Sequence, residues 1–249
     1  MSLELVTETP LQTAIFFMCL FLAGIIRGCI GFGFSALVIA STSLFINPVL
    51  VVPLLMLLEL VASIHMLFSV WNDTLWKTVA YLSLGGLITI PLGVYFLSIV
   101  SPDTLRLCVA IVILTMALLS IKGVVYQRPL TPPILFTVGC ISGLINGIAA
   151  VGGLVIATFL TSAQCPARNI RATMVVFFVG TEIIFIASAA VADIFNTRIF
   201  TTFWVACIPM FFGIFLGMKL FHRLNDQSLR KMMLWLLCLL SFIGIVRAL

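Results

Sequence analysis

The chain has 249 residues, of which 63% are hydrophobic and only 8% charged, and its mean hydropathy is +1.31, whereas a soluble domain is about 25% charged. That composition excludes a water-soluble globular fold, and long unalternated apolar runs such as residues 105–121 exclude a transmembrane barrel, leaving an all-α polytopic membrane protein. The formal net charge of +5 comes from basic residues scattered among the connections between apolar runs rather than gathered on one face, which argues for the lipid bilayer and against nucleic acid as the partner.

In chain order, residues 1–10 carry Glu4 and Glu8 and no Lys or Arg, so they lack the basic region of a secretory signal, and the first apolar segment is expected to stay in the mature protein. That segment covers 11–31 and runs into a glycine-rich stretch at 24–35, Gly-Ile-Ile-Arg-Gly-Cys-Ile-Gly-Phe-Gly-Phe-Ser. Segments 33–46, 49–71, 75–99 and 103–125 follow. Residues 126–132 sit in a proline-bearing, charged stretch that reads as the linker between a first unit, 1–125, and a second, 133–249. The second unit is expected to hold segments 133–149, 152–163, 167–194, 198–221 and 227–247, with its own glycine-rich stretch at 139–153.

The two units resemble each other. Residues 37–40, Leu-Val-Ile-Ala, recur as 154–157, and Asn47-Pro48 is echoed by Cys165-Pro166. The motif Pro-Leu-Gly-Val-Tyr-Phe-Leu at 91–97 is echoed at 215–221, and Thr-Leu-Arg at 104–106 by Ser-Leu-Arg at 228–230. Matches in the same order imply an internal duplication. Each unit has five segments, or three full spans plus a short re-entrant pair, and either odd count makes the copies inverted. One side then receives Lys77, Lys122, Arg128, Arg168, Arg171, Lys219, Arg223, Arg230 and Lys231, the other only Arg106, Arg198 and Arg247. The positive-inside rule makes the first side cytoplasmic and puts both termini outside.

Glycine costs a helix about 1 kcal/mol relative to alanine, so both glycine-rich stretches read as helix breaks. Each is followed by about 12–14 apolar residues, too few for a span and suited to a half-helix. Two half-helices starting near mid-membrane would aim free N–H groups at one spot, a seat for an anion. Candidate binding residues are therefore Arg27, Gly31, Phe32, Gly33, Phe34, Ser35, Asn146, Val151, Gly152 and Gly153. Ser35 and Asn146 would donate to an oxyanion, and Phe32 and Phe34 would wall its carbon part or pack in the core. Arg27 has two readings, a bidentate partner for a carboxylate or sulfonate, or a side chain snorkelling to the interface. Glu59 and Glu182, each in the third segment of its unit and alignable at a nearby offset, are candidates for coupling to a proton or sodium. His65 titrates near neutrality and is a further coupling or gating candidate, against an interfacial role. Arg168 and Arg171 read as cytoplasmic anchors or as an anion-attracting inner mouth.

The duplicated breaks, each opening a short apolar helix, resemble the sulfite exporter TauE/SafE family, also called the toluene-sulfonate uptake permease family, over nearly the whole chain. The family's dense glycine run is replaced here by Gly31-Phe32-Gly33-Phe34-Ser35 in the first unit, Val151-Gly152-Gly153 retains two glycines in the second, and the later prolines are absent. The resemblance implies a bacterial inner-membrane transporter of small anions such as sulfite, sulfoacetate or other organosulfonates. The bulky Phe32 and Phe34 favour a short organosulfonate such as isethionate or sulfoacetate. The expected activity is a secondary carrier with no cofactor, no metal and no enzymatic step; a passive anion channel and a membrane-embedded sulfur-handling enzyme are the competing classes. Seven cysteines without a C-x-x-C pair read as small hydrophobes. Replacing all seven should leave transport intact, and loss of activity that single serine replacements trace to one cysteine would favour the enzyme.

Overall fold

The computed structural model describes residues 9–43, 45–122, 125–221 and 235. The expected segment 227–247 lies outside the described residues, and so do Glu4, Glu8, His222, Arg223, residues 228–230, Lys231, Cys238 and Arg247. The described residues form helices α1 (Pro10–Ile30), α2 (Phe34–Thr42), α3 (Pro48–Val70), α4 (Trp76–Ile99), α5 (Pro102–Ile121), α6 (Pro132–Ala149), α7 (Gly152–Ser162), α8 (Ala167–Val191) and α9 (Thr197–Phe221), with one 3₁₀ turn, Trp71–Asp73, after α3. Seven are long and apolar enough to cross a membrane, so the protein is all-α and polytopic. The exceptions are α2 and α7, of 9 and 11 residues. At 1.5 Å per residue each reaches only about half of a ~30 Å hydrocarbon core.

Local chemistry sets the helix starts. A polar residue followed by proline opens α1 (Thr9-Pro10), α3 (Asn47-Pro48), α5 (Ser101-Pro102) and α6 (Thr131-Pro132). Proline at the first helical position gives up only an N–H that the helix leaves unpaired in any case. At α1 the cap is reciprocal: Gln12 N–H donates to Thr9 Oγ1 at 3.2 Å, and Thr9 N–H donates to Gln12 Oε1 at 3.3 Å.

Glycine decides how the helices pair. A Cβ on Gly24 or Gly28 of α1 would strike the backbone of α9 at Met210 and Ile214, and one on Gly213 or Gly217 would strike α1 at Phe21 and Ile25. The same relation joins Gly85 and Gly93 of α4 to Gly139, Gly143 and Gly147 of α6. Backbones this close gain dispersion and weak C–H···O contacts, the forces left where apolar burial gives no advantage over lipid. In both pairs the residue numbers rise together, so α1 runs parallel to α9 and α4 parallel to α6.

By contrast α3 and α8 are antiparallel. Asp73, just past α3, accepts from Arg168 Nε at 2.6 Å near the start of α8, and its carbonyl accepts from Asn169 Nδ2 at 2.8 Å, whereas Glu59 lies level with Glu182 farther along. Thus α1, α3 and α9 point toward one end of the bundle, and α4, α6 and α8 start there. This end carries Lys77, Lys122, Arg128, Arg168, Arg171 and Lys219; among the described residues the opposite end has Arg106 and Arg198. The short helices double back. Ser35, near the start of α2, lies beside Glu59 midway along α3, and α2 then returns to the end where α1 and α3 begin. In the same way α7 returns to the basic end, where Ser162 O accepts from Tyr126 N–H at 2.8 Å.

Substituting Gly28→Val or Gly147→Val should lower the stability of detergent-solubilised protein by about 1–3 kcal/mol through overpacking, read as a lower unfolding temperature. Gly180→Ala should leave it unchanged, because a Cβ there meets only Ser83 Oγ, at 3.9 Å.

Candidate functional site

The first break is built on two left-handed glycines. Gly31 (φ 88°) ends α1, its N–H donating to Arg27 O at 2.8 Å, and Gly33 (φ 89°) opens α2, so positions 31 and 33 both disfavour a side chain. Arg27 sits in the last turn of α1 and is 0% exposed. It does not snorkel. Its Nη2 donates to Ser63 Oγ at 2.6 Å, Nη1 to Glu59 Oε2 at 3.4 Å, and its Cζ lies 4.7 Å from the centre of the Phe178 ring. Its Nε has no partner within hydrogen-bonding range.

Glu59 completes the first tip. Its Oε1 accepts from the Ser35 N–H at 3.1 Å and from Ser35 Oγ at 2.7 Å. The carboxylate therefore satisfies an N–H that the start of α2 would otherwise leave unpaired, and lies at the positive end of that helix dipole. Glu182, 0% exposed, faces Glu59 within hydrogen-bonding reach, and neither of its oxygens meets an N–H or O–H donor.

The second break holds itself closed differently. Ala150 takes the left-handed turn (φ 60°) that glycine takes in the first, and its N–H donates to Asn146 O at 2.9 Å. The Gly152 N–H donates to Asn146 Oδ1 at 3.2 Å, Ser142 Oγ donates to Gly152 O at 2.9 Å, and Asn146 Nδ2 lies 3.8 Å from Met56 Sδ on α3. Gly153 abuts the edge of the Phe178 ring, whose face covers Arg27. Phe178 is the partition between the two tips.

The two breaks and the two long helices that follow them place their polar residues at matching distances. Arg27 and Asn146 each lend a carbonyl to the residue that ends their helix. Glu59 lies twelve residues past the cap Asn47 and Phe178 twelve past Pro166, while Ser63 and Glu182 each lie sixteen past the same caps. Glu59 and Phe178 thus stand equally far from the starts of α3 and α8, as do Ser63 and Glu182.

Of the other expected residues, Phe32, Phe34 and Val151 are buried core. Arg171 does not line an open mouth: its guanidinium donates to Gly28 O at 3.0 Å, capping the carbonyl end of α1, and its methylenes fill the space beside Gly31. His65 lies on the exposed side of α3, edge-on to Phe211 at 5.7 Å between ring centres, away from Glu59. Ser63, Phe178, Ser142 and Met56 complete the cluster without having been singled out in the sequence. A signal for two of them existed: Ser63 is four residues after Glu59 and Phe178 four before Glu182, each on the same helix face as its acid.

Removing one member of a buried ion pair costs about 3–5 kcal/mol, because the other is left uncompensated. Arg27→Met should accordingly destabilise the protein by that amount, Ser63→Ala by about 1–2 kcal/mol, and Arg27→Met with Glu59→Gln by less than Arg27→Met alone. Thermal unfolding of the four proteins checks this.

Comparison with known proteins agrees with the architecture. The family model described as sulfite exporter TauE/SafE matches residues 16–243, nearly the whole chain. No curated protein and no solved structure matches the chain. With seven membrane-length helices and a match of that extent, the chain belongs to the sulfite exporter TauE/SafE family of membrane transporters.

Proposed function

We propose that the protein is a secondary carrier that binds one small anion, a short organosulfonate such as isethionate or sulfoacetate, or sulfite, beside Arg27 at the tip of α2. The observation that carries this reading is a guanidinium buried at mid-bundle, with Nε unpartnered and the N-terminus of a half-helix beside it. An anion's oxygens would accept from that Nε, which a cation cannot do. The Phe178 face and the neighbouring Phe34 suit a ligand with a small carbon part. The pair Glu59 and Glu182 is the coupling element, with a proton favoured over sodium because Glu182 lies fully buried with no polar group other than Glu59 against its oxygens to help hold a bare cation.

The two units are, on this reading, inverted copies that rock against each other. Support comes from helix direction. The corresponding helices α1 and α6, α3 and α8, and α4 and α9 run oppositely, and Gly93 packs on Gly147 as Gly217 packs on Gly28. The basic end faces the cytoplasm of a bacterial inner membrane by the positive-inside rule, so α1 begins on the outer side.

Thermal-shift and binding measurements on purified protein with sulfite, sulfate, thiosulfate, isethionate, sulfoacetate, taurine and acetate test the substrate class. Sulfonates or sulfite should stabilise the wild type, and Arg27→Gln should lose at least tenfold in affinity, about 1.4 kcal/mol; preference for a cation or a neutral solute overturns the reading. Exchange of labelled against unlabelled anion in vesicles separates a carrier from a channel. For orientation, in a cysteine-free background Asp103→Cys should react with an impermeant maleimide in intact cells and Arg128→Cys only after lysis.

A further inference from the structure

Glu59 occupies the place that the carrier reading gives to the transported anion. The protein's own carboxylate takes both donors of Ser35 at the tip of α2 and faces the buried guanidinium with its second oxygen. We propose that Glu59 is a resident internal anion, holding the tip while the site is empty and leaving it, protonated, toward Glu182 when an external monoanion takes its place, so that one proton binds with each monoanion. This rests on the preceding reading that the tip of α2 is the anion's seat.

Three further observations support exchange at this seat over a fixed structural ion pair. The Glu59 contact to Arg27 is 3.4 Å, longer than the 2.7–2.9 Å typical of a charge-assisted hydrogen bond, so Glu59 is held chiefly by Ser35. Glu182 lies alongside, buried and with no donor on either oxygen, and so offers acceptors to a Glu59 that arrives carrying a proton. The other half-helix has no such acid. Phe178 abuts Gly153 there as Glu59 abuts Ser35, so among the described residues one tip alone holds a carboxylate.

Charge balance fixes the stoichiometry. With the site empty, Arg27 is balanced by Glu59, and a neutral Glu182 in this apolar interior leaves a net charge of zero. An incoming monoanion takes over the balance of Arg27, and a displaced Glu59 left ionised would put an excess negative charge into a low-dielectric interior. A proton from solvent on Glu59 restores neutrality; no bond other than that O–H is made. Of the other charged groups on these elements, Arg171 of α8 donates to Gly28 O and Arg168 pairs with Asp73. Arg27 is on α1 and Glu182 on α8, while α2 and α7 have no charged residue. On α5, Asp103 and Arg106 pair with each other near its start, and Arg198 and Lys219 lie in the first and last turns of α9.

The test is calorimetric titration of the full-length protein with isethionate, and separately with sulfite, in buffers of differing ionisation enthalpy, from about pH 6 to about pH 8. The wild type should take up about one proton per isethionate bound, with affinity falling up to tenfold per pH unit. In Glu59→Gln the uptake should vanish and the pH slope flatten while isethionate still binds. A Glu59→Gln protein that still takes up a proton, or a wild type that binds without proton uptake, overturns the inference and leaves the carrier reading standing. Absence of binding of either probe to the wild type overturns both. A second measurement needs no variant: in wild-type vesicles, an inward isethionate gradient at clamped zero potential should acidify the lumen, and transport without acidification overturns the inference.

Discussion

A guanidinium and two carboxyl groups enclosed at the centre of an apolar bundle set the terms for everything around them. Such groups are expensive to withdraw from water, and the cost is offset only where each has a partner of the right sign and geometry. Arg27 obtains its partners from α3 and α8 at once, Glu59 and Ser63 on one and the Phe178 ring on the other. These elements cannot slide past each other without leaving a buried charge exposed to hydrocarbon. The interrupted helices follow from the same demand: an intact helix at 30–34 would consume the Ser35 N–H in its own ladder and give Glu59 nothing to bind.

The broken backbone is tolerable because protein, not lipid, surrounds it. Gly31 packs on Arg171, Gly153 on Phe178, and Gly152 against Ser142 and Asn146, so the turn at each tip is sealed by side chains from the facing helix or its own hairpin. Non-helical backbone at this depth survives only in such an enclosure. The hairpins and the long helices α3 and α8 are therefore one structural unit, in which the first supply unpaired amides and the second supply what pairs with them.

Much of this was legible in the residues. The polar-proline pairs mark four helix starts, and glycine at 31 and 33 marks the first break, because these are local conformational constraints that a sequence states directly. Arg27, Ser35, Glu59 and Glu182 stand out because polar groups in an apolar run are costly. The partnerships among them were not legible. Nothing local to Glu59 says that it meets Arg27, 32 residues earlier, or Glu182 from the other half. A Leu- and Ile-rich helix offers many equally good offsets, so sequence alone does not say how the two acids stand to each other. For Arg171 the sequence shows a positive charge, suited to an anchor or a mouth, and not the carbonyl of Gly28 that its guanidinium reaches. His65, conspicuous as a lone imidazole, lies outside the cluster, where the outward side of α3 needs no partner.

The glycine seams carry a mechanical consequence. Helix α1 is fastened to α9, and α6 to α4, by backbone lying against backbone with no side chain between to flex. Each seam joins a helix that precedes residue 126 to one that follows residue 131, so the stiff components are braided across the covalent order of the chain. In the rocking carrier proposed above, the connecting stretch near residue 128 would be a tether rather than an axle, and movement would be accommodated where α3 and α8 meet the two braided pairs.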